Sequence, residues 1–254
     1  MALVQLQGRL ICATPEERRV VLAHLPQHMR LTLREPGCLF FDIAQDEDPL
    51  VFRVSEGFAS TAAFEAHQAR TQASDWGRAT LRIRRDYALC EAQAAITPET
   101  SADTRALYLL TRTAFERPDE AELVEALRRE GTLALSLTAR LGRAYLGHVA
   151  FSPLAAPFPA WALGPLAVRA CCRRQGIGEA LVRAGIEIAR ERGIKALFVL
   201  GDPAYYRRFG FSAAAARGFQ SPYGGPHFQI LPLADFPLPL GPVTHAAPFA
   251  ALSD

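Results

Sequence analysis

From Leu3 the chain alternates, with Val4, Leu6, Leu10 and Cys12 on one side and Gln5, Gln7 and Arg9 on the other, the period of a half-buried strand. Thr14-Pro15-Glu16-Glu17 then opens a helix. Thr14 can accept from the Glu17 N–H, Glu17 can reach back to Thr14, and Pro15 sits where no donor is needed. Glu35-Pro36-Gly37 closes it. Two short apolar runs, Cys38 to Ala44 and Leu50 to Glu56, flank the acidic turn Gln45 to Pro49 and predict a hairpin. A second helix is expected from about Ser60 to Trp76. A strand follows from Thr80 to about Cys90, in which Leu81, Ile83, Tyr87 and Leu89 alternate with Arg82, Arg84 and Asp86. The order βαββαβ suits a ferredoxin-like α+β sheet with helices on one face.

Glu91 to Thr100 has no strong periodicity and contains Pro98. This places a boundary near Ala95, giving domains 1–95 and 96–254, with Ala94 to Thr97 in position to serve as the first strand of the second. Beyond it, Leu107, Leu110 and Ala114 mark a helix over Asp103 to Phe115, and Leu123, Val124 and Leu127 mark another over Asp119 to Arg129. Thr132 to Thr138 and Ala144 to Phe151 read as strands, and the Pro- and Ala-rich Leu154 to Ala160 as a loop. An apolar strand, Leu163 to Val168, leads through a basic glycine turn into a helix whose apolar stripe is Ile177, Leu181, Ala184 and Ile188. Gly193 stops that helix, and Ala196 to Leu200 is the next strand. The second domain is thus a mixed α/β unit with an antiparallel meander.

Composition supports two cores: 254 residues at 50% hydrophobic are enough for two domains of ordinary size. The net charge of +2, with Arg and Glu interleaved rather than blocked, argues against nucleic-acid and anionic-membrane partners. No run approaches the roughly 20 apolar residues of a membrane span, and the N-terminus lacks a secretory pattern. The cysteines Cys12, Cys38, Cys90, Cys171 and Cys172 include no C-x-x-C pair and no zinc spacing, so free thiols, a reducing compartment and a cytoplasmic location are expected, with no metal.

The candidate chemistry concentrates in the second domain. A phosphate group needs several converging backbone N–H donors, and a helix N-terminus preceded by glycines provides them. Arg173-Arg174-Gln175-Gly176-Ile177-Gly178 has that form, although the fingerprint G-x-G-x-x-G is not met. Taken alone, the turn supports only an anion site. Further on, Tyr206 precedes Gly210-Phe211 by four residues. In the first domain His67 and Trp76 could face a pocket, though capping a core edge is the simpler role for His67. His24 and His28 stand at i, i+4 with Pro26 between them, and solvated or packing roles suit them better than a metal. Cys171 and Cys172 have no nearby histidine in sequence to activate a covalent route.

Residues 2 to 92 resemble the antibiotic biosynthesis monooxygenase (ABM) family, through Glu35-Pro36-Gly37-Cys38, Phe52-Arg53-Val54-Ser55-Glu56 and Ala63-Phe64-Glu65-Ala66-His67-Gln68. The resemblance implies a homodimer formed through the N-terminal sheet. In some members it implies oxidation of quinols or anthrones by O2 without a cofactor; the pocket asparagine usual in those enzymes is missing, because the sequence contains no asparagine.

Residues 96 to 250 resemble the GNAT N-acetyltransferases, whose pattern Q/R-x-x-G-x-G/A is met by Arg173, Gly176 and Gly178 after a strand. That resemblance implies acetyl-CoA as co-substrate and an amine acceptor. Its diphosphate would lie on Arg173, Arg174, Gln175, Gly176, Ile177 and Gly178, its pantetheine along Leu166, Ala167 and Val168, and Tyr206 would be the acid that protonates sulfur. An asparagine common at the start of the tyrosine helix is replaced by Gly201-Asp202-Pro203, as in one bacterial branch that the tail also resembles, at Gly218, Ser221-Pro222, His227-Phe228-Gln229 and Gly241 to Phe249. The general base stays open among Glu120, Glu122, His148 and water. His227 suits a loop role better than an acceptor pocket. The acceptor, whether protein lysine, small amine or aminated antibiotic, also stays open. The rival readings are a quinol-type oxygenase in the first domain with an ancillary GNAT domain, and a non-catalytic acyl-CoA sensor.

Overall fold

The computed structural model describes residues 2–233, 235 and 237–251. The chain divides into two compact units, Met1–Ala94 with Arg140–Ala144, and Ala95–Ala139 with Tyr145–Asp254.

The first unit runs β1 (Leu3–Ile11), α1 (Pro15–Thr32), β2 (Cys38–Gln45), β3 (Val51–Phe58), α2 (Thr61–Ala73), α3 (Asp75–Ala79) and β4 (Arg84–Ala92). Its sheet has the order β2-β3-β1-β4, with β1 antiparallel to both β3 and β4. The alternation of β1 does what its pattern predicts: Leu6 and Leu10 are buried with Phe52, Val54, Trp76 and Ile83.

Three local details differ from the sequence reading. Thr14 Oγ1 accepts from Glu17 N–H at 3.3 Å, but Glu17 Oε2 takes the N–H of Ala13 at 2.6 Å, one residue earlier than the capping box would place it. The expected single helix to Trp76 is broken at Ser74, whose extended backbone and hydroxyl end α2 by donating to Thr71 O and cap α3 by accepting from Gly77 N–H. Leu81 and Leu89 are 78% and 54% exposed, because residue 81 lies in a turn and β4 is the edge of its sheet.

The second unit runs β5 (Ala95–Pro98), α4 (Thr104–Phe115), α5 (Asp119–Arg129), β6 (Leu135–Leu141), β7 (Ala144–Ala155), β8 (Ala160–Val168), α6 (Ile177–Glu191), β9 (Ala196–Leu200), α7 (Pro203–Tyr206), β10 (Phe228–Pro232) and β11 (Thr244–His245). The sheet order is β10-β9-β8-β7-β6-β5, and β11 pairs with β7. The expected loop over Leu154 to Ala160 is present but shorter, over residues 156–159, because β7 runs on to Ala155 and β8 begins at Ala160. Leu154 pairs with Ala160, and Leu154, Phe158 and Ala160 are buried in a cluster with Phe198, Phe219 and Phe228, so apolar burial extends the strands and packs the loop between them. The buried face of α6 comprises Ile177, Leu181, Val182, Gly185, Ile186 and Ala189; Ile177 and Leu181 of the expected stripe are buried, while Ala184 and Ile188 are only half-buried. Gly185 allows this close seat, since a Cβ there would lie 2.2 Å from the Phe151 ring. Among the described residues no helix is long and apolar enough to cross a membrane.

Candidate functional site

The site starts where two strands part. β8 runs parallel to β9 only from Ala160 against Ala196 to Leu163 against Val199. Past Leu163, β8 stays on β7 through an irregular register between Val149 and Phe151, and it contains a cis Gly164-Pro165 bond. Among the described residues no strand pairs with the outer edge of Leu166, Ala167 and Val168. An unpaired strand edge offers N–H and C=O groups to an extended ligand. A cleft of about 560 Å³ opens at this gap, with Gly164, Pro165 and Leu166 on one lip and Leu200, Gly201 and Asp202 on the other.

The end of β8 leads into the basic turn. Arg174 and Gly176 adopt left-handed backbone at φ 62° and 81°, which turns the chain into α6. The first closing bond of that helix runs from Ala180 N–H to Gly176 O, so the amides of Ile177, Gly178 and Glu179 precede any intrahelical bond. They face a second groove of about 620 Å³, bordered by Val168, Arg173, Gly178, Tyr205 and Arg208. Helix N-terminus and arginines together make it an anion site.

The side chains of the turn mostly brace it. Arg173 donates from Nη2 to Ala114 O at 2.7 Å and from Nε to Val168 O at 3.4 Å, tying the end of α4 to the end of β8. Gln175 donates from Nε2 to Cys171 O at 3.1 Å, leaving its Oε1 buried without a partner. The sulfurs of Cys171 and Cys172 are 3.8 Å apart just before the turn.

Asp202 and Pro203 position the two tyrosines. Asp202 Oδ1 accepts from Ala204 N–H at 2.9 Å and Pro203 takes the first helical position, so the short α7 starts sharply. The rings of Tyr205 and Tyr206 stand edge to face, 5.0 Å apart, and serve different places. Tyr205 borders the anion groove, while Tyr206 is buried in the wall of the strand cleft with its ring over Gly201, where a Cβ would fall 2.4 Å from it. Burial and the neighbouring Tyr205 push the Tyr206 phenol well above its usual range, so it holds its proton at neutral pH.

Of the candidate bases, only Glu120 lines this cleft. It is 7% exposed, and Arg117 Nε donates to its Oε1 and Oε2 at 3.0 and 3.1 Å. Glu122 is exposed on a neighbouring groove. His148 is fully buried away from the cleft, against Ser136 Oγ at 2.8 Å and Thr111 Oγ1 at 3.3 Å, and burial lowers its pKa to about 4. His227 is exposed, with Nδ1 3.3 Å from Gly201 O. The sequence reading missed Tyr223, His245 and Phe249, which the tail brings into the cleft. β11, a two-residue strand, pairs His245 with Leu154 of β7, and a strand that short leaves no periodicity to detect.

The first unit holds a smaller cavity of about 80 Å³, and both predicted residues border it. His67 is 3% exposed, with Nδ1 2.8 Å from Glu35 Oε2; Arg70 Nε holds the other Glu35 oxygen at 2.6 Å. Trp76 stacks on His28 at 4.7 Å. Glu56 was not anticipated. Its buried Oε2 lies 3.5 Å from His67 Nε2 without a hydrogen bond, and burial, followed by repulsion from Glu35, raises its carboxyl to about 7.

Comparison with known proteins is consistent with both halves. Residues 102–211 match the family model "Acetyltransferase (GNAT) family", and residues 8–79 match "Antibiotic biosynthesis monooxygenase". The uncharacterized N-acetyltransferase YhbS of Escherichia coli K12 is 38% identical over 146 residues, covering 55% of this chain and 87% of its own length. A crystal structure of Escherichia coli YhbS in complex with CoA aligns with a TM-score of 0.61 and 34% identity, over 65% of this chain and 96% of that one. A GNAT family acetyltransferase from Brucella melitensis, in complex with acetyl-CoA, aligns at 0.54 and 34%, over 61% and 97%.

Proposed function

The chain belongs to the GNAT acetyltransferase family, and on that premise we propose that it moves an acetyl group from acetyl-CoA directly to an amine. The observation that carries this reading is the junction of three parts along one surface: the unpaired edge of β8, the open amides at the start of α6, and the Tyr206 phenol in the cleft between them. Diphosphate would rest on the amides of Gly176, Ile177 and Gly178, with Arg174 adding positive charge. Arg173 and Gln175 would act by holding the turn, since their side chains are spent on backbone carbonyls. Pantetheine would add along Leu166, Ala167 and Val168 and bring the thioester into the cleft.

Amine attack on the thioester carbonyl expels a thiolate, which needs a proton within hydrogen-bond reach. Tyr206, which lines the cleft and holds its proton, would give it. The two complexes named above, with CoA and with acetyl-CoA, support the choice of acyl donor. Isothermal titration of acetyl-CoA, followed by product mass over a panel of amines, tests the reading. Absence of binding at millimolar concentration would remove it, and binding without any product would leave an acyl-CoA sensor instead.

For the first unit we propose dimerisation or ligand binding, in a cytoplasmic protein with free thiols. The ABM match supports a pairing of sheets, and the polar cavity at Glu56 and His67 supports a ligand. A monomer by light scattering at micromolar concentration would overturn the dimer.

A further inference from the structure

Two thiols stand at the entry to the basic turn, and the acetyl transfer proposed above uses neither. Cys171 is exposed, whereas Cys172 is fully buried and borders the anion groove. Both belong to a single helical turn, Ala170–Cys172. Side chains one residue apart on such a turn do not ordinarily face each other, yet the two sulfurs are 3.8 Å apart. The pair is also chemically unequal. A hydrogen bond from the Cys172 S–H, with the charge of Arg169, holds the Cys171 thiol below its usual range against the effect of burial; the same bond and burial push the Cys172 thiol up. The exposed sulfur is therefore the nucleophile that meets a small oxidant, and a protonated thiol lies beside it to resolve the product.

The peptide that joins the two cysteines braces the turn. Its N–H, from Cys172, donates to Arg169 O at 2.8 Å, and its carbonyl, Cys171 O, accepts from Gln175 Nε2 at 3.1 Å. The next amide, Arg173 N–H, reaches Ala170 O at 3.3 Å. These bonds fix the entry to the segment whose open amides belong to Ile177, Gly178 and Glu179. A disulfide between adjacent residues strains the peptide it encloses, because neighbouring Cα atoms lie about 3.8 Å apart and bridged cysteines take about 4.4–6.8 Å. A strained, exposed disulfide is also one that dithiols reduce readily.

We propose that Cys171 and Cys172 form a reversible vicinal disulfide whose closure breaks the Gln175 brace and weakens acetyl-CoA binding at the neighbouring amides; the binding half rests on the acetyltransferase reading above. The oxidant is a hydroperoxide. The Cys171 thiolate attacks one peroxide oxygen, the O–O bond breaks, and Cys171 becomes a sulfenic acid while the departing oxygen takes a proton from water. The Cys172 sulfur then displaces the sulfenic hydroxyl, which leaves as water with the Cys172 proton. Two sulfurs thus give two electrons to one peroxide. A dithiol reverses the step by exchange at the exposed Cys171 sulfur.

The test treats the full chain with hydrogen peroxide, blocks free thiols with iodoacetamide, and digests with trypsin, which cuts after Arg169 and Arg173 and releases the pair in one short peptide. That peptide should lack the mass of two hydrogens and carry no label, and dithiothreitol given before blocking should let both sulfurs be labelled. A labelled peptide after peroxide, a gain of oxygen, or a crosslink to Cys12, Cys38 or Cys90 overturns the disulfide. Calorimetry should show acetyl-CoA binding about tenfold weaker in the oxidised protein, restored by dithiothreitol; equal affinity overturns the effect on binding. If the reduced protein binds no acetyl-CoA, the acetyltransferase reading and the binding half fall together, while the peptide mass still decides the disulfide. Cys171→Ser should bind acetyl-CoA as the reduced wild type does and lose the response to peroxide; a response that persists overturns the assignment to this pair.

Discussion

The phenol oxygen of Tyr205 stands over Gly178, so close that a methyl group on residue 178 would meet it at 2.7 Å. The contact joins α7 to the first turn of α6 and sets how near a ligand can come to the amides there. Gly178→Ala should weaken acetyl-CoA binding by about tenfold, since the added carbon occupies the approach to a helix N-terminus. Calorimetry would show it, and adding Tyr205→Phe to the same variant should return part of the affinity.

In the proposed mechanism Tyr206 acts on sulfur rather than holding the donor. Tyr206→Phe should lower kcat by about two orders of magnitude while acetyl-CoA affinity stays within twofold. Because burial raises its pKa, Tyr206 stays protonated beyond the ordinary phenol range, so kcat of the wild type should not fall from tyrosine ionisation up to about pH 10. A descending limb centred near pH 9 that disappears in Tyr206→Phe would contradict this.

Arg173 bridges two backbone carbonyls, Ala114 O and Val168 O. Arg173→Ala loosens the turn without touching the reacting atoms. KM for acetyl-CoA should rise several-fold with kcat nearly constant, and Arg173→Lys should recover little, because one ammonium does not reproduce the guanidinium geometry. Steady-state kinetics on both variants decides it.

Glu56 makes the first unit sensitive to pH. Its folded pKa of about 7 lies above the unfolded value, so the folded state binds the extra proton between these limits and loses stability as pH rises through about 7. Glu56→Gln removes that titration. At pH 8 the variant should be more stable by on the order of 2 kcal/mol, with little difference at pH 4. Denaturant melts at the two pH values, followed by Trp76 emission, provide the measurement.

Gly185 meets Phe151 where α6 crosses the sheet. Gly185→Ala overfills that contact and should destabilise the second unit by about 1–3 kcal/mol, even though alanine favours the helix. Gly185→Ala with Phe151→Leu should recover most of the loss in a thermal melt.

Much of this was legible because period and burial agree. The β1 alternation, the helix at Thr14 and the strand before Arg173 are local patterns, and each lands where its pattern places it. Glu56 was hidden because a carboxylate at a strand end reads as solvent-facing, although alternation puts it on the buried face of Phe52 and Val54. Ser74 was overlooked because apolar spacing continues through it to Trp76. His245 was out of reach for another reason: its partner Leu154 lies far back in the chain, and the two-residue β11 carries no signature of that pairing.

The parting of β8 from β9 has a consequence for how such a protein changes over time. The proposed donor surface is made from main chain, from an edge left unpaired and amides left open, and substitutions that respect the backbone leave it in place. The acceptor wall is made from side chains of α5 and of the tail after Ser221, which can be exchanged one by one. Under the proposed function, substitutions in that wall would change the amine accepted while leaving the main-chain donor surface in place.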